Sequence, residues 1–253
     1  MKIKRILSVF LVAVILVCSL VSCGGDTATA LVEKADKALL NTPYKLDMSM
    51  SMESDNQDYS EMFESMAIDT EMYIDGEKFA ITLNVYGTEL DMSCVGDTLY
   101  AKASVAGQSV SKVKATVTEA QREDVLGDTV GSANELMPID FETIKMEKND
   151  EGQTVITCTE LKSEVLADYI ESVSAEYEGV ELNIDNIELI AILEGGKYHS
   201  ITVSMDYSFG IMGESIDVAV GVSMSFDYEA GKKITAPEDA DTYEEMDYDD
   251  FLG

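Results

Sequence analysis

Tyr44-Lys45-Leu46-Asp47-Met48-Ser49-Met50-Ser51-Met52-Glu53 alternates without a break: every even position is apolar or aromatic, every odd one polar. Successive side chains of a β-strand point to opposite faces, so a period of two predicts a half-buried strand. Its dry side carries Met48, Met50 and Met52. Immediately upstream the period is that of a helix. Ala28, Leu31, Val32, Ala35, Ala38 and Leu39 recur at i, i+3, i+4, i+7, and Pro43 cannot continue the pattern, so a helix is expected over about Thr27–Asn41.

Downstream, Ser54 to Ser65 is polar and acidic and reads as a loop with room for one helical turn. Alternation then resumes in short runs broken by turn residues. Ile68 to Ile74 leads to Asp75-Gly76, a strong hairpin signal, and Phe79, Ile81, Leu83 and Val85 follow. Leu90, Met92 and Cys94 lead to Gly96-Asp97. Leu99 to Val105 and Val110 to Val117 complete a meander with one wet and one dry face. Leu126, Val130, Ala133 and Met137 share a helical spacing weakened by Gly127 and Gly131. Phe141–Glu147 and Gln153–Thr159 read as a strand pair. A second amphipathic helix is expected from Leu161 through Val165, Leu166, Tyr169, Ile170 and Val173, closing near Gly179.

The last third carries the longest strands. Val180, Leu182 and Ile184 alternate, the phase slips at Asp185-Asn186, and Ile187 to Leu193 resume it, which predicts a β-bulge. Two long runs follow, Ile201–Phe209 and Ile216–Tyr228, each expected to span roughly 35–45 Å and so to twist or curl. The expected fold is α+β: a strongly curved antiparallel sheet of about 11 strands, a half-barrel, with two or three covering helices.

The N-terminus reads as an export signal. Lys2, Lys4 and Arg5 precede an apolar run, Ile6 to Val17, shorter than the ~20 residues that cross a bilayer. The run ends in Leu20-Val21-Ser22-Cys23, which resembles the lipobox of bacterial lipoproteins. That resemblance implies cleavage before Cys23, a diacylglyceryl group on its sulfur, and lipid anchoring to the outer face of the cell membrane. The expected division is 1–22 signal peptide, 23–27 lipidated flexible linker, 28–237 a single domain and 238–253 an acidic tail. Removing Lys2, Lys4 and Arg5 from the 17 basic residues leaves 14 against 49 acidic ones, a formal charge of −35. Such a body is repelled by nucleic acid and by anionic headgroups, so acyl chains must supply the anchoring. A monomer is expected. Cys94 and Cys158 are the only internal pair left. Export permits a disulfide between them, but two buried free thiols are the favoured reading.

The order of elements, a first helix leading into a Met-rich strand and then long meandering strands with helices between, is similar to the half-barrel lipoproteins of the LolA/LppX type. The similarity spans about Ala28 to Pro237. It implies an apolar cavity for lipid or acyl chains beneath helices, and it transfers no individual residue.

Candidate chemistry follows from the dry face. Met48, Met50, Met52, Met72, Leu83, Met92, Val203, Met205, Val220 and Met224 are the candidate lining of an apolar ligand cavity, since methionine adapts to varied apolar partners; the competing reading is an ordinary packed core. Three thioethers at 48, 50 and 52 would suit Cu(I), but packing explains the spacing and no metal or cofactor is assigned. The sole histidine, His199, is placed on the side of Ile201 and lacks any nucleophile motif, so no catalytic residue is assigned. The acidic pairs Asp69/Glu71 and Glu89/Asp91 read as solvated faces. The acidic tail lacks EF-hand spacing and reads as a solubilising run. The expected function is a non-enzymatic, lipid-binding lipoprotein. The alternative is an acidic interaction or sensing module with a filled core.

Overall fold

The computed structural model describes residues 26–56, 60, 63, 67–85, 87–126, 141–167, 170, 181–211, 214–231 and 233–251. The expected signal peptide, Cys23 and the helical patterns over 127–137 and 171–179 lie outside them. Twelve strands form a single curved sheet that does not close on itself. A helix, α1 (Asp26–Asn41), leads into β1 (Tyr44–Glu53). The meander is β2 (Ile68–Asp75), β3 (Lys78–Val85), β4 (Thr88–Val95), β5 (Thr98–Val105) and β6 (Gln108–Thr116). After α2 (Glu119–Leu126) come β7 (Phe141–Lys148) and β8 (Thr154–Leu161). Three long strands follow, β9 (Glu181–Glu194), β10 (Lys197–Ile211) and β11 (Glu214–Asp227). The chain finishes with β12 (Glu244–Glu245) and α3 (Tyr248–Phe251).

The order across the sheet is β12-β6-β5-β4-β3-β2-β1-β11-β10-β9-β8-β7. The Met-rich strand β1 therefore sits in the middle, joining the meander to the long hairpins. Its alternation is realised: Met50 and Met52 are buried while Ser49, Ser51 and Glu53 are exposed. The pairing carries one apolar face across strands. Met52, Val220, Met205 and Ile187 form one transverse row; Met50, Val222, Val203 and Leu189 form the next. A strand in the middle of a sheet can bury only one face fully if the other stays wet, and a strict period of two is the pattern that does so.

The bulge stands where the phase slip predicts. Asp206 pairs with Asn186 but Tyr207 with Ile184, leaving Asp185 as the extra residue. A second irregularity is missed by alternation. Tyr198 pairs with Leu193 and Ser200 with Ile192, so His199 is itself the extra residue. Tyr198 and Ile201 are both buried and His199 is exposed, contrary to its expected place beside Ile201. The β9–β10 turn is Gly195-Gly196 with φ +60° and +81°, the left-handed region that a two-residue hairpin of this twist requires.

Other boundaries shift. Among the described residues there are twelve strands rather than about eleven, because the acidic stretch supplies β12, paired parallel to β6 through Glu244–Val113 and Glu245–Lys114. Helix α1 begins at Asp26, inside the expected linker 23–27. Leu161 ends β8 opposite Phe141 instead of opening a helix, and helical residues begin at 163. Within 54–65, residue 63 is helical and Phe63 is buried in the core. Helix α2 starts with a reciprocal capping box: Thr118 N donates to Gln121 Oε1 (2.9 Å) and Gln121 N to Thr118 Oγ1 (3.2 Å). No helix among the described residues is long and apolar enough to cross a membrane.

Candidate functional site

The ten candidate lining residues share one face. On the meander side the rows run Leu46, Met72, Ile81, Met92 and Met48, Thr70, Leu83, Leu90. Met50, Met52, Met72, Val203, Met205, Val220 and Met224 are buried within one apolar cluster. Met48, Leu83 and Met92 are half-buried. The face is thus sealed along the long hairpins and at Leu46, Met72 and Ile81, and looser at Met48, Leu83, Leu90 and Met92. Helix α1 covers part of it with Ala28, Val32 and Ala35, all buried in the same cluster. Thr70 interrupts the looser row. It is buried, and its Oγ1 has no hydrogen-bond partner among the described residues.

A polar contact ties α1 to the sheet. The Tyr198 hydroxyl donates to Asp36 Oδ1 at 2.8 Å. Burial pushes the Asp36 carboxyl up to about 6; the Tyr198 hydrogen bond opposes this and Glu33 adds to it. The helical spacing of Ala28, Val32 and Ala35 leaves Asp36 off the apolar positions of α1, so its burial against the sheet is not legible in the helix itself. The missed signal was Tyr198, an aromatic with a polar tip at a strand start.

A second candidate site is an acidic cleft. It encloses about 640 Å³ where β1, β9, β10 and β11 converge, and Glu53, Asp55, Asp185, Asp206 and Asp217 line it with Ser54, Ser60 and Tyr207. Ser54 Oγ donates to Asp217 O at 2.6 Å, closing one corner. Burial pushes the Tyr207 hydroxyl up to about 12, so it stays a neutral donor. The bulge at Asp185 helps to make this site, because the extra residue brings a carboxylate to the β9–β10 irregularity. Among the described residues no three His, Cys, Asp or Glu side chains converge as metal ligands.

One acid of each outward pair, Glu71 and Asp91, holds a lysine of this chain. Lys45 bridges Asp47 (2.8 Å) and Glu71 (2.9 Å), whose hydrogen bonds hold its ammonium above the usual lysine range. Asp91 takes Thr82 Oγ1 at 2.9 Å and Lys102 at 3.3 Å. Cys94 and Cys158 are free and buried, on β4 and β8. His199 lies 3.9 Å from Glu194 in solvent.

These features define an α+β half-barrel with an apolar inner wall and an acidic cleft at one end. Compared with known proteins, the chain matches no family model, and no curated protein is significantly similar to it.

Proposed function

We propose that the chain is a non-enzymatic, membrane-anchored extracytoplasmic lipoprotein that binds a lipid or other apolar ligand between the curved sheet and its covering helices. The observation that carries this reading is the gradient along one wall, sealed at Met50, Val203 and Met224 and half-open at Met48, Leu83 and Met92. Removing apolar area from water stabilises a bound chain by roughly 25 cal/mol per Å². Shifting α1 outward would uncover more of the wall. The LolA/LppX-type element order supports the same reading, and the lipobox-like Leu20-Val21-Ser22-Cys23 supports the anchor. The test is native mass spectrometry with lipid extraction of the protein, beside metabolic palmitate labelling. Co-purifying acyl lipid and label lost in Cys23→Ser are the expected results. Protein free of lipid, or label that survives Cys23→Ser, rejects the reading.

A second reading rests on the acidic cleft: an interaction module whose five carboxylates receive a cationic partner. Salt-sensitive capture of a basic peptide, lost in Asp206→Asn/Asp217→Asn, would favour it over ligand burial.

A further inference from the structure

The C-terminal segment crosses the outer face of the meander as a strap. Ile234 and Tyr243 are buried against it. Tyr243 meets Tyr100 edge-on at 5.5 Å, and Lys112 lies 5.9 Å from the Tyr243 ring. Asp239 pairs with Lys112, Glu245 lies 3.6 Å from Lys114, and Met246 N donates to Lys114 O at 2.9 Å. Strand pairing puts Lys102 opposite Lys112 and Tyr100 opposite Lys114, so three ammonium groups and an aromatic ring share one outer patch. In a chain of formal charge −32 these lysines make a local cationic patch; Lys102 is held by Asp91, and Lys112 and Lys114 are met by the chain's own acidic segment.

The strap fills the patch incompletely. Its parallel pairing with β6 covers Val113 and Lys114 only. Residues 108–111 of this edge strand are exposed, and Val110 is 63% exposed. A gap of about 190 Å³ remains between the strap residues Ile234, Pro237 and Tyr243 and the sheet residues Ala80, Asp91 and Tyr100. The ion pairs are partly solvated, and such pairs contribute little each, so a competing segment has little to displace. An unpaired strand edge is a template for another extended chain.

We propose that the outer face of β5 and β6 is a docking surface for an acidic, extended peptide segment of a partner protein, which the chain's own strap occupies at rest. The strap shows the recognition chemistry: backbone pairing to β6, carboxylates on Lys112 and Lys114, and a tyrosine on Tyr100. This site is independent of the inner wall. The probe is a fluorescent synthetic peptide of the sequence of residues 236–250, titrated into the full chain by anisotropy. Saturable binding is expected, weakening about tenfold between low salt and about 0.5 M. Tyr243→Ala, which loosens the strap, should tighten peptide binding about tenfold, and Lys112→Glu/Lys114→Glu in that background should abolish it. Lys112→Gln with an unchanged thermal transition guards against unfolding and should weaken binding severalfold. Failure of the folded Tyr243→Ala variant to bind the peptide overturns the proposal, as does equal binding by Lys112→Gln. Concentration-dependent dimers of the full chain that Tyr243→Ala dissolves would make a second copy the occupant, and would overturn the assignment to a partner protein.

Discussion

Tyr198 on β10 donates a 2.8 Å hydrogen bond to Asp36 on α1, 162 residues away in sequence. It joins the helix that covers the inner wall to the strand that forms it. Of the described residues, Tyr198 is also among the most buried, at 2% exposure, and its ring lies 5.7 Å from Phe226. The bond therefore anchors the covering helix at a fixed point on the core.

The Asp36 carboxyl makes that anchor pH-sensitive. Its folded value is about 6 against an ordinary 3.8, with burial as the main cause. The folded state thus binds its proton more tightly than the unfolded chain does. The resulting stabilisation is complete below the ordinary value and is lost as pH rises through 6. Asp36→Asn keeps an oxygen acceptor for Tyr198 and removes the ionisation. Its melting temperature is expected to exceed wild type at pH 7 to 8 by about 2–4 °C, with the two converging near pH 4. Parallel curves across that range would refute the assignment.

Thr70 Oγ1 is buried between Met48 and Leu83 without a partner among the described residues. An unsatisfied buried hydroxyl costs about 1–3 kcal/mol, and valine has nearly the same shape. Thr70→Val is expected to raise stability by about 1 kcal/mol in urea denaturation. A loss of stability would mean that the hydroxyl is satisfied in solution.

The gradient along the inner wall separates packing from binding. Met72 is fully buried, and Met72→Ala should cost about 2–5 kcal/mol. Met92 is half-buried, so Met92→Ala should cost about half as much or less while lowering retention of a bound acyl chain more than Met72→Ala does. Chemical denaturation and lipid quantification on the same preparations check both. Equal stability losses would show that the wall has no loose end.

Cys94 and Cys158 are both fully buried, and burial raises both thiols, Cys158 to about 12. Thiolate is the reactive form, so neither should react with Ellman's reagent at pH 8 in the native protein, and both should react in denaturant. Rapid native labelling of either would contradict the packing.

Much of the sheet was legible in the chain because a strand's two faces are written in consecutive residues. The Met-rich run, the meander turns and the slip at Asp185-Asn186 all encode burial locally, and they predict the half-barrel seen. Features made by contact between distant segments carried no such mark. The acidic run from Ala236 is locally a polar tail; it becomes β12 only because β6 offers Lys112, Lys114 and an open edge. His199 looks like one more member of an alternating strand, and only pairing with β9 makes it the extra residue.

Periodicity thus settles which side chains turn inward, since the pleat of the backbone imposes that choice residue by residue. It does not settle whether the inward face is filled or open. That depends on how tightly α1 and the neighbouring strands close over Met48, Leu83 and Met92. Nor does it place five carboxylates around one cleft, because Glu53, Asp185, Asp206 and Asp217 lie on β1, β9, β10 and β11, which only the pairing of distant segments sets side by side, with Asp55 just beyond β1.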